Sequence, residues 1–432
     1  MKNNAPAPIA FSAALAFWLK LGFISFGGPA GQIAIMHRVL VDEKRWIEES
    51  RFLHALNFCV MLPGPEAQKL ATYAGWLLHG ARGGLAAGIL FVLPGALVML
   101  ALSIVYALGR GIPAVEGALY GIKAAVLVIV VEALIRIGRR ALKTRFLIGV
   151  AAAAFVGIFF LAVPFPLIVL AAAVAGFFTS LPGAPLAAPP APGRWRHAAL
   201  AMTSGLALWW LPVLAAVLVL GPSHVLVDIG LFFSKLAVVS FGGAYALLAY
   251  MAQQAVENYH WMSAPEMVDG LGLAETTPGP LILVTQFVGF LAAYRDAAPF
   301  APLAAGVLGA AMTTWVTFVP PMTLIFALAP FVEQLRGNQR LSGALAAITA
   351  AVVGVILNLT VWFALHVLFG QVTEARAGPL RWYAFDPLAL DFRVGALAAL
   401  AAFLAFALHR GLVELVLMMA ALGMGLRLLL PY

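Results

Sequence analysis

Two lysines stand alone in apolar sequence. Lys20 and Lys235 each lie five residues before an identical Ser-Phe-Gly-Gly tetrapeptide, which begins at Ser25 and again at Ser240. A second signature follows each tetrapeptide at the same 37-residue interval: Leu62-Pro63-Gly64-Pro65 and Thr277-Pro278-Gly279-Pro280. An ammonium group at the centre of a membrane-spanning helix costs roughly 2.5–3.5 kcal/mol on insertion scales, so two at matched places point to a shared task. Proline suits the first turn of a helix, where no N–H partner is required. Helices restarting at Pro65 and Pro280 would present free N–H groups and a partial positive charge, the features that hold an anion. Gly27, Gly28, Gly242 and Gly243 would let the backbone approach a ligand closely. Ser25, Ser240, Thr276 and Thr277 would add hydroxyl donors. The chemistry that fits is non-covalent capture of a small, doubly charged oxyanion.

Carboxylates near the breaks are not duplicated. Glu66 follows the first triplet where the other half has Leu281, and Glu275 precedes the second where the other half has Val60. Either is a candidate to carry a coupling proton, because burial and a neighbouring lysine move a carboxyl in opposite directions. Glu66 serves equally well as a charge at a helix N-terminus. Blander accounts compete throughout: a lysine near a helix end can snorkel, and Pro-Gly-Pro can be a plain tight loop. Repetition of both together favours a site. Glu132 and Asn358, at equivalent places in apolar helices, suit interhelical hydrogen bonding. His54, Asp269 and Gln32 are further polar residues near the same elements.

The elements that must position these residues are membrane helices. Of 432 residues, 63% are hydrophobic and only 10% charged, against about 25% charged in a soluble domain. Stretches such as residues 84–108 reach the roughly 20 residues that cross a bilayer. Net charge is +8, but Lys and Arg cluster in short loops such as 136–145, which suits the positive-inside rule and argues against nucleic acid as a partner. One cysteine, Cys59, excludes an internal disulfide and a multi-cysteine metal site. Walker A, Gly-x-Ser-x-Gly and His-Glu-x-x-His motifs are all missing from the sequence, so neither ATP-driven pumping nor an enzyme is expected, and no cofactor or metal. The N-terminal apolar run reads as a retained helix, not a signal peptide.

The chain repeats itself. Shifting residues 20–65 by 215 positions without a gap gives 14 identities in 46, among them Lys20/Lys235, Trp46/Trp261 and both triplets. Farther on, residues 117–126 answer 343–352. Shared greasiness would match Leu and Ala; it would not align Lys, Trp and two glycine-proline signatures. The expected organisation is an N-terminal repeat over 1–180, a Pro/Ala-rich linker over 181–198, and a C-terminal repeat with an additional helix over 199–432. The segments flanking each Pro-Gly-Pro are too short to span and read as half-helices or re-entrant pieces. Corresponding interruptions in duplicated membrane halves are the mark of a secondary transporter. The expected fold is an all-α polytopic membrane protein of about 12–13 crossings. Residues 29–51 hold four Lys or Arg and the equivalent 244–266 hold none, which favours inverted halves. The cationic loop 136–145 conflicts with that topology if each triplet region crosses once.

Residues 19–33 (LKLGFISFGGPAGQI), 45–49 (RWIEE), 62–80 (LPGPEAQKLATYAGWLLHG), 241–251 (FGGAYALLAYM), 277–290 (TPGPLILVTQFVGF) and 343–366 together resemble the chromate transporter superfamily in its long, two-domain form. The resemblance runs over about residues 10–370, and departs at Ala244, where the first half has Pro29. It implies a multi-pass protein of the bacterial inner membrane that exports chromate by proton antiport and confers chromate resistance, with inverted halves, and a homodimer as one assembly. Sulfate or another oxyanion is the alternative cargo, since these tetrahedral dianions share shape and charge; an anion channel is the alternative class.

Overall fold

The computed structural model describes residues 9–26, 28–109, 111–179, 194–241, 244–331 and 339–429. Apolar runs become helices, in the order α1 (Phe11–Ile24), α2 (Gly28–His37), α3 (Glu49–Met61), α4 (Glu66–Leu108), α5 (Pro113–Ala141), α6 (Arg145–Phe160) and α7 (Phe165–Thr179). Then come α8 (Arg194–Leu220), α9 (Val225–Val239), α10 (Ala244–Gln253), α11 (Ala264–Thr276), α12 (Val284–Arg295), α13 (Pro302–Leu328) and α14 (Gln339–Leu368). A hairpin of β1 (Val372–Ala377) and β2 (Leu380–Phe385) precedes α15 (Phe392–Ala402) and α16 (Leu412–Leu429). Among the described residues, six helices are long and apolar enough to span a bilayer. The protein is a polytopic helical membrane protein.

The sequence repeat is a structural repeat. Helix α3 shifted by 215 residues coincides with α11 end for end, and α1 likewise falls on α9. Helix α4 is one element in name only. His79 leaves helical geometry and Gly80 adopts φ +61°. Eight residues of straight helix span about 12 Å, yet a Cβ on Gly75 would stand 2.4 Å from the Gly83 carbonyl oxygen. The chain therefore doubles back, giving a 13-residue arm (66–78) and a long arm (81–108) that match α12 and α13. The short arm, α3, α11 and α12 are the expected half-helices: 12 or 13 residues rise about 20 Å, less than the hydrocarbon core.

Packing exchanges elements between halves. Helices α15 and α16 of the second half lie on α5 of the first, while α6 and α7 of the first lie on α14 of the second. Helix α8, packed on α13 and α9, has no counterpart. Two features depart from expectation. The β hairpin interrupts an otherwise all-α chain. The predicted linker falls largely on residues outside those described, and its end, 194–198, is the first turn of α8.

Candidate functional site

The interrupted segments converge, and they do so reciprocally. Helix α1 stops at Ser25, whose carbonyl accepts a hydrogen bond from the Gly279 N–H of the opposite half at 2.8 Å. Helix α9 stops at Ser240, whose carbonyl accepts from the Gly64 N–H at 3.0 Å. Carbonyls at a helix C-terminus lack intrahelical partners; here the Pro-Gly-Pro loop of the other repeat supplies one. Gly64 and Gly279 take φ +105° and +94°, a region L side chains avoid. Gln32 clamps one side of the crossing, its amide donating to the Gly279 carbonyl at 2.6 Å and the Ser25 carbonyl at 3.3 Å. The equivalent position on the other side is Leu247.

This geometry alters what the breaks offer a ligand. The Gly64 and Gly279 N–H groups are engaged between halves. The hydroxyls of Thr276 and Thr277 both donate to the Leu273 carbonyl at 2.7 Å, and Ser240 donates to the Ala237 carbonyl at 2.7 Å. Ser25 is fully buried and its hydroxyl has no partner in the structure. Around Gly64, Pro65, Ser240 and Ile282 lies a cavity of about 20 Å³, also lined by Thr317, whose buried hydroxyl is likewise without a partner. Both helix restarts thus border one small space. Pro63 and Pro65 are part-buried, Pro278 and Pro280 buried. Gly28 is buried with φ +70°; Gly27, Gly242 and Gly243 lie outside the described residues.

The lysines correct the sequence reading. Lys20 is exposed on α1, on the face opposite the buried Ala14, Trp18 and Leu21. Lys235 is exposed beside Leu231 and Val238, with its Nζ 5.8 Å from the centroid of the Tyr250 ring. Apolar neighbours on an outward face are the setting in which a lysine snorkels, so the expected pair of buried amines is not formed. The buried amine is Lys69, 1% exposed, whose Nζ donates to the Leu62 carbonyl at the entrance to the first triplet. Leaving such a cation without partners would be expensive. One helical turn earlier, Glu66 is part-buried at the start of α4, on the same face. Glu275 is buried on the last turn of α11. Lys69 and Thr317 were missed by sequence reasoning. Lys69 carried a signal, a lone cation four residues past Pro65; Thr317 carried none beyond its place next to the apolar Phe-Val-Pro-Pro run.

A wide cavity of about 1290 Å³ between α4, α8 and α13 is lined mainly by apolar side chains with Arg51, His54 and His197 among them, and by none of the sequence-predicted site residues. The crossing is the better site despite its size, because both interrupted segments meet there.

Two repeated halves whose broken helices meet deep in an apolar body define a membrane transporter. The chain belongs to the chromate transporter family: the pattern described as "Chromate transporter" matches residues 12–177 and 227–426, one segment in each half. It is 33% identical over 390 residues to the "Chromate transport protein" of Pseudomonas aeruginosa, covering 87% of this chain and 85% of that one. It is 28% identical to the "Probable chromate transport protein" of Synechococcus elongatus, covering 80% and 82%. The "Chromate transport protein" of Cupriavidus metallidurans is 27% identical, over 80% of each chain. No solved structure matches the chain.

Proposed function

We propose that the protein exports chromate across a bacterial inner membrane in exchange for protons, by rocking one repeat against the other around the crossing. The observation that carries this reading is the reciprocal pairing of Gly64 with Ser240 and Gly279 with Ser25. Its support comes from a buried ammonium at the entrance to the first triplet and from buried, unpartnered hydroxyls at Ser25 and Thr317. Lys69 supplies charge, Ser25 and Thr317 supply hydroxyl donors, and the N–H groups of the α4 first turn supply backbone donors. A 20 Å³ space holds about one water, so cargo enters only when the halves part, which is the behaviour of alternating access. Relatives named for chromate support the choice among tetrahedral dianions.

Radiolabelled chromate and sulfate fluxes in vesicles of the reconstituted protein, with and without an imposed pH gradient, test the reading. Chromate accumulation driven by the gradient is the expected result. Sulfate moving in its place would transfer the reading to a sulfate exchanger. Flux that only follows the electrochemical gradient would make it a channel.

A further inference from the structure

Farther back on α11 lies a second polar cluster. Asp269 is 5% exposed. Its carboxylate pairs with Lys123 of α5 at 3.3 Å and accepts a hydrogen bond from the Tyr106 hydroxyl of α4 at 2.9 Å. These three side chains line a cavity of about 470 Å³ together with Glu116, Tyr120 and Arg427. At roughly 30 Å³ per water, such a volume holds about fifteen. Exposure is graded along it: Glu116 and Arg427, paired at 2.9 Å, are 43% and 31% exposed, whereas Asp269 and Lys123 are 7% and 24%. The cavity therefore spans from a solvent-facing ion pair to a buried one.

The cluster joins the two halves and is not duplicated. The positions equivalent to Asp269 and Lys123 are His54 and Thr349. Buried ionisable groups inside a membrane protein are functional by default, and a pair with no matching pair at the equivalent positions is not needed to build the repeat. Placement links it to the crossing. Asp269 lies eight residues before Thr277, about 12 Å along a helix, and α11 ends at the Pro-Gly-Pro loop whose Gly279 holds Ser25. Helix α11 also bears closely on α5, since a Cβ on Gly272 would stand 2.1 Å from the Ile122 side chain.

We propose that Asp269 is the carboxylate that binds the coupling proton. This rests on the proton-exchange reading above and names its residue, which is neither Glu66 nor Glu275. A proton arriving through the cavity water adds to the carboxylate, the ion pair to Lys123 is lost, and α11 is freed to move its Pro-Gly-Pro end relative to α5. The charged groups facing Asp269 are Lys123, Glu116 and Tyr120 from α5, Tyr106 from α4 and Arg427 from α16. On its own helix Glu266 is held by Arg295 of α12 at 2.6 Å. Helix α14 carries titratable groups only near its ends, Arg340 and His366, and the turn at 281–283 carries none.

Two measurements on the full-length protein test this. In vesicles loaded with a pH-sensitive dye, protons moved per labelled chromate should fall at least tenfold in Asp269→Asn and be retained in Asp269→Glu. In detergent, infrared difference spectra across a pH titration should show a carboxyl band that disappears in Asp269→Asn and titrates at least one unit higher in Lys123→Met. This second readout needs no transport and also serves a variant that fails to carry cargo. Persistence of the band in Asp269→Asn, or an unchanged proton-to-chromate ratio, overturns the assignment. A wild type that moves chromate without protons overturns this inference and leaves the transport reading standing. A wild type that moves no chromate in either direction overturns both.

Discussion

The two crossing glycines make a controlled comparison, because they perform the same task in different surroundings. Alanine at either forces an L residue into left-handed backbone, which costs about 1–2 kcal/mol. At Gly279 little is added: a Cβ there would meet the Leu283 side chain at 3.4 Å and the Gly95 Cα at 3.6 Å, ordinary contact distances. At Gly64 the same atom would stand 2.5 Å from the Pro321 Cβ and 3.0 Å from its Cγ, on a rigid ring. Overpacking of this kind adds about 1–3 kcal/mol. Gly64→Ala should therefore lose about 2–5 kcal/mol and Gly279→Ala about 1–2 kcal/mol. Thermal unfolding of the purified protein in detergent should rank wild type above Gly279→Ala and Gly279→Ala above Gly64→Ala. Trimming the ring in the double variant Gly64→Ala/Pro321→Gly should recover part of the deficit, with a coupling of about 1–3 kcal/mol in the cycle. A Gly64→Ala protein as stable as wild type, or less harmed than Gly279→Ala, would refute the packing argument at the crossing.

Gln32→Leu copies the residue of the opposite half at Leu247, and leaves the buried Gly279 carbonyl without its 2.6 Å donor. A loss of about 1–3 kcal/mol is expected in the same unfolding assay; none would show that the clamp is idle. Lys69→Met removes the buried ammonium beside Leu62, and calorimetry should show chromate affinity lower by about tenfold or more, the equivalent of about 1.4 kcal/mol. An unchanged affinity would take Lys69 out of the site. On the hairpin, Arg381 is 2% exposed and holds the Ile158 and Phe159 carbonyls at 2.5 and 3.2 Å and Glu257 at 3.4 Å. Arg381→Ala should cost about 3–5 kcal/mol by leaving that carboxylate unpaired. Burial already pushes Glu257 above the ordinary carboxylate value near 4.5, and Arg381 opposes the rise. A raised carboxyl contributes stability that is complete below its unfolded value and lost as pH rises through the folded one. The deficit of the variant should accordingly be larger at pH 7 than at pH 4, and an equal deficit at both would refute this account.

Periodicity and repetition carried most of the architecture. Residues 20–65 against 235–280 announced the two halves, and the coordinates return α3 and α11 at that same offset. Pro63-Gly64-Pro65 and Pro278-Gly279-Pro280 announced the breaks, because proline and glycine act through local backbone geometry that sequence displays directly. What sequence could not supply was direction. Lys20 and Lys235 match in register, yet both lie on outward helix faces, and a face is set by which neighbours cover it. Lys69 went unselected because its equivalent is Val284 and because the lysines were sought as a matched pair. Asp269 was noted only as a polar residue near the same elements, and its pairing with Lys123 escaped because 146 residues separate the two. The hairpin at 372–385 was hidden by its polar, exposed strands beside long apolar runs.

The asymmetry has a physical logic. Two equal halves joined by Gly64–Ser240 and Gly279–Ser25 would give a structure with two equivalent crossings, and each would hold its cargo as readily as the other. Neither half finishes its own break, and each terminal hairpin packs mainly on the other repeat, since α6 and α7 serve α14 while α15 and α16 serve α5. Any displacement of one repeat is therefore felt at both crossings together, which makes the pair a single two-position device. Such a device needs a bias to run in one direction, because a ligand shifts an equilibrium only by its differential affinity for the two states. On the proposed reading the unmatched groups would carry that bias: Lys69 and Gln32 distinguish the crossings from each other, and Asp269 with Lys123 distinguishes α11 from α3. On that reading, duplication would build the moving parts, and the residues that break the duplication would decide which way they move.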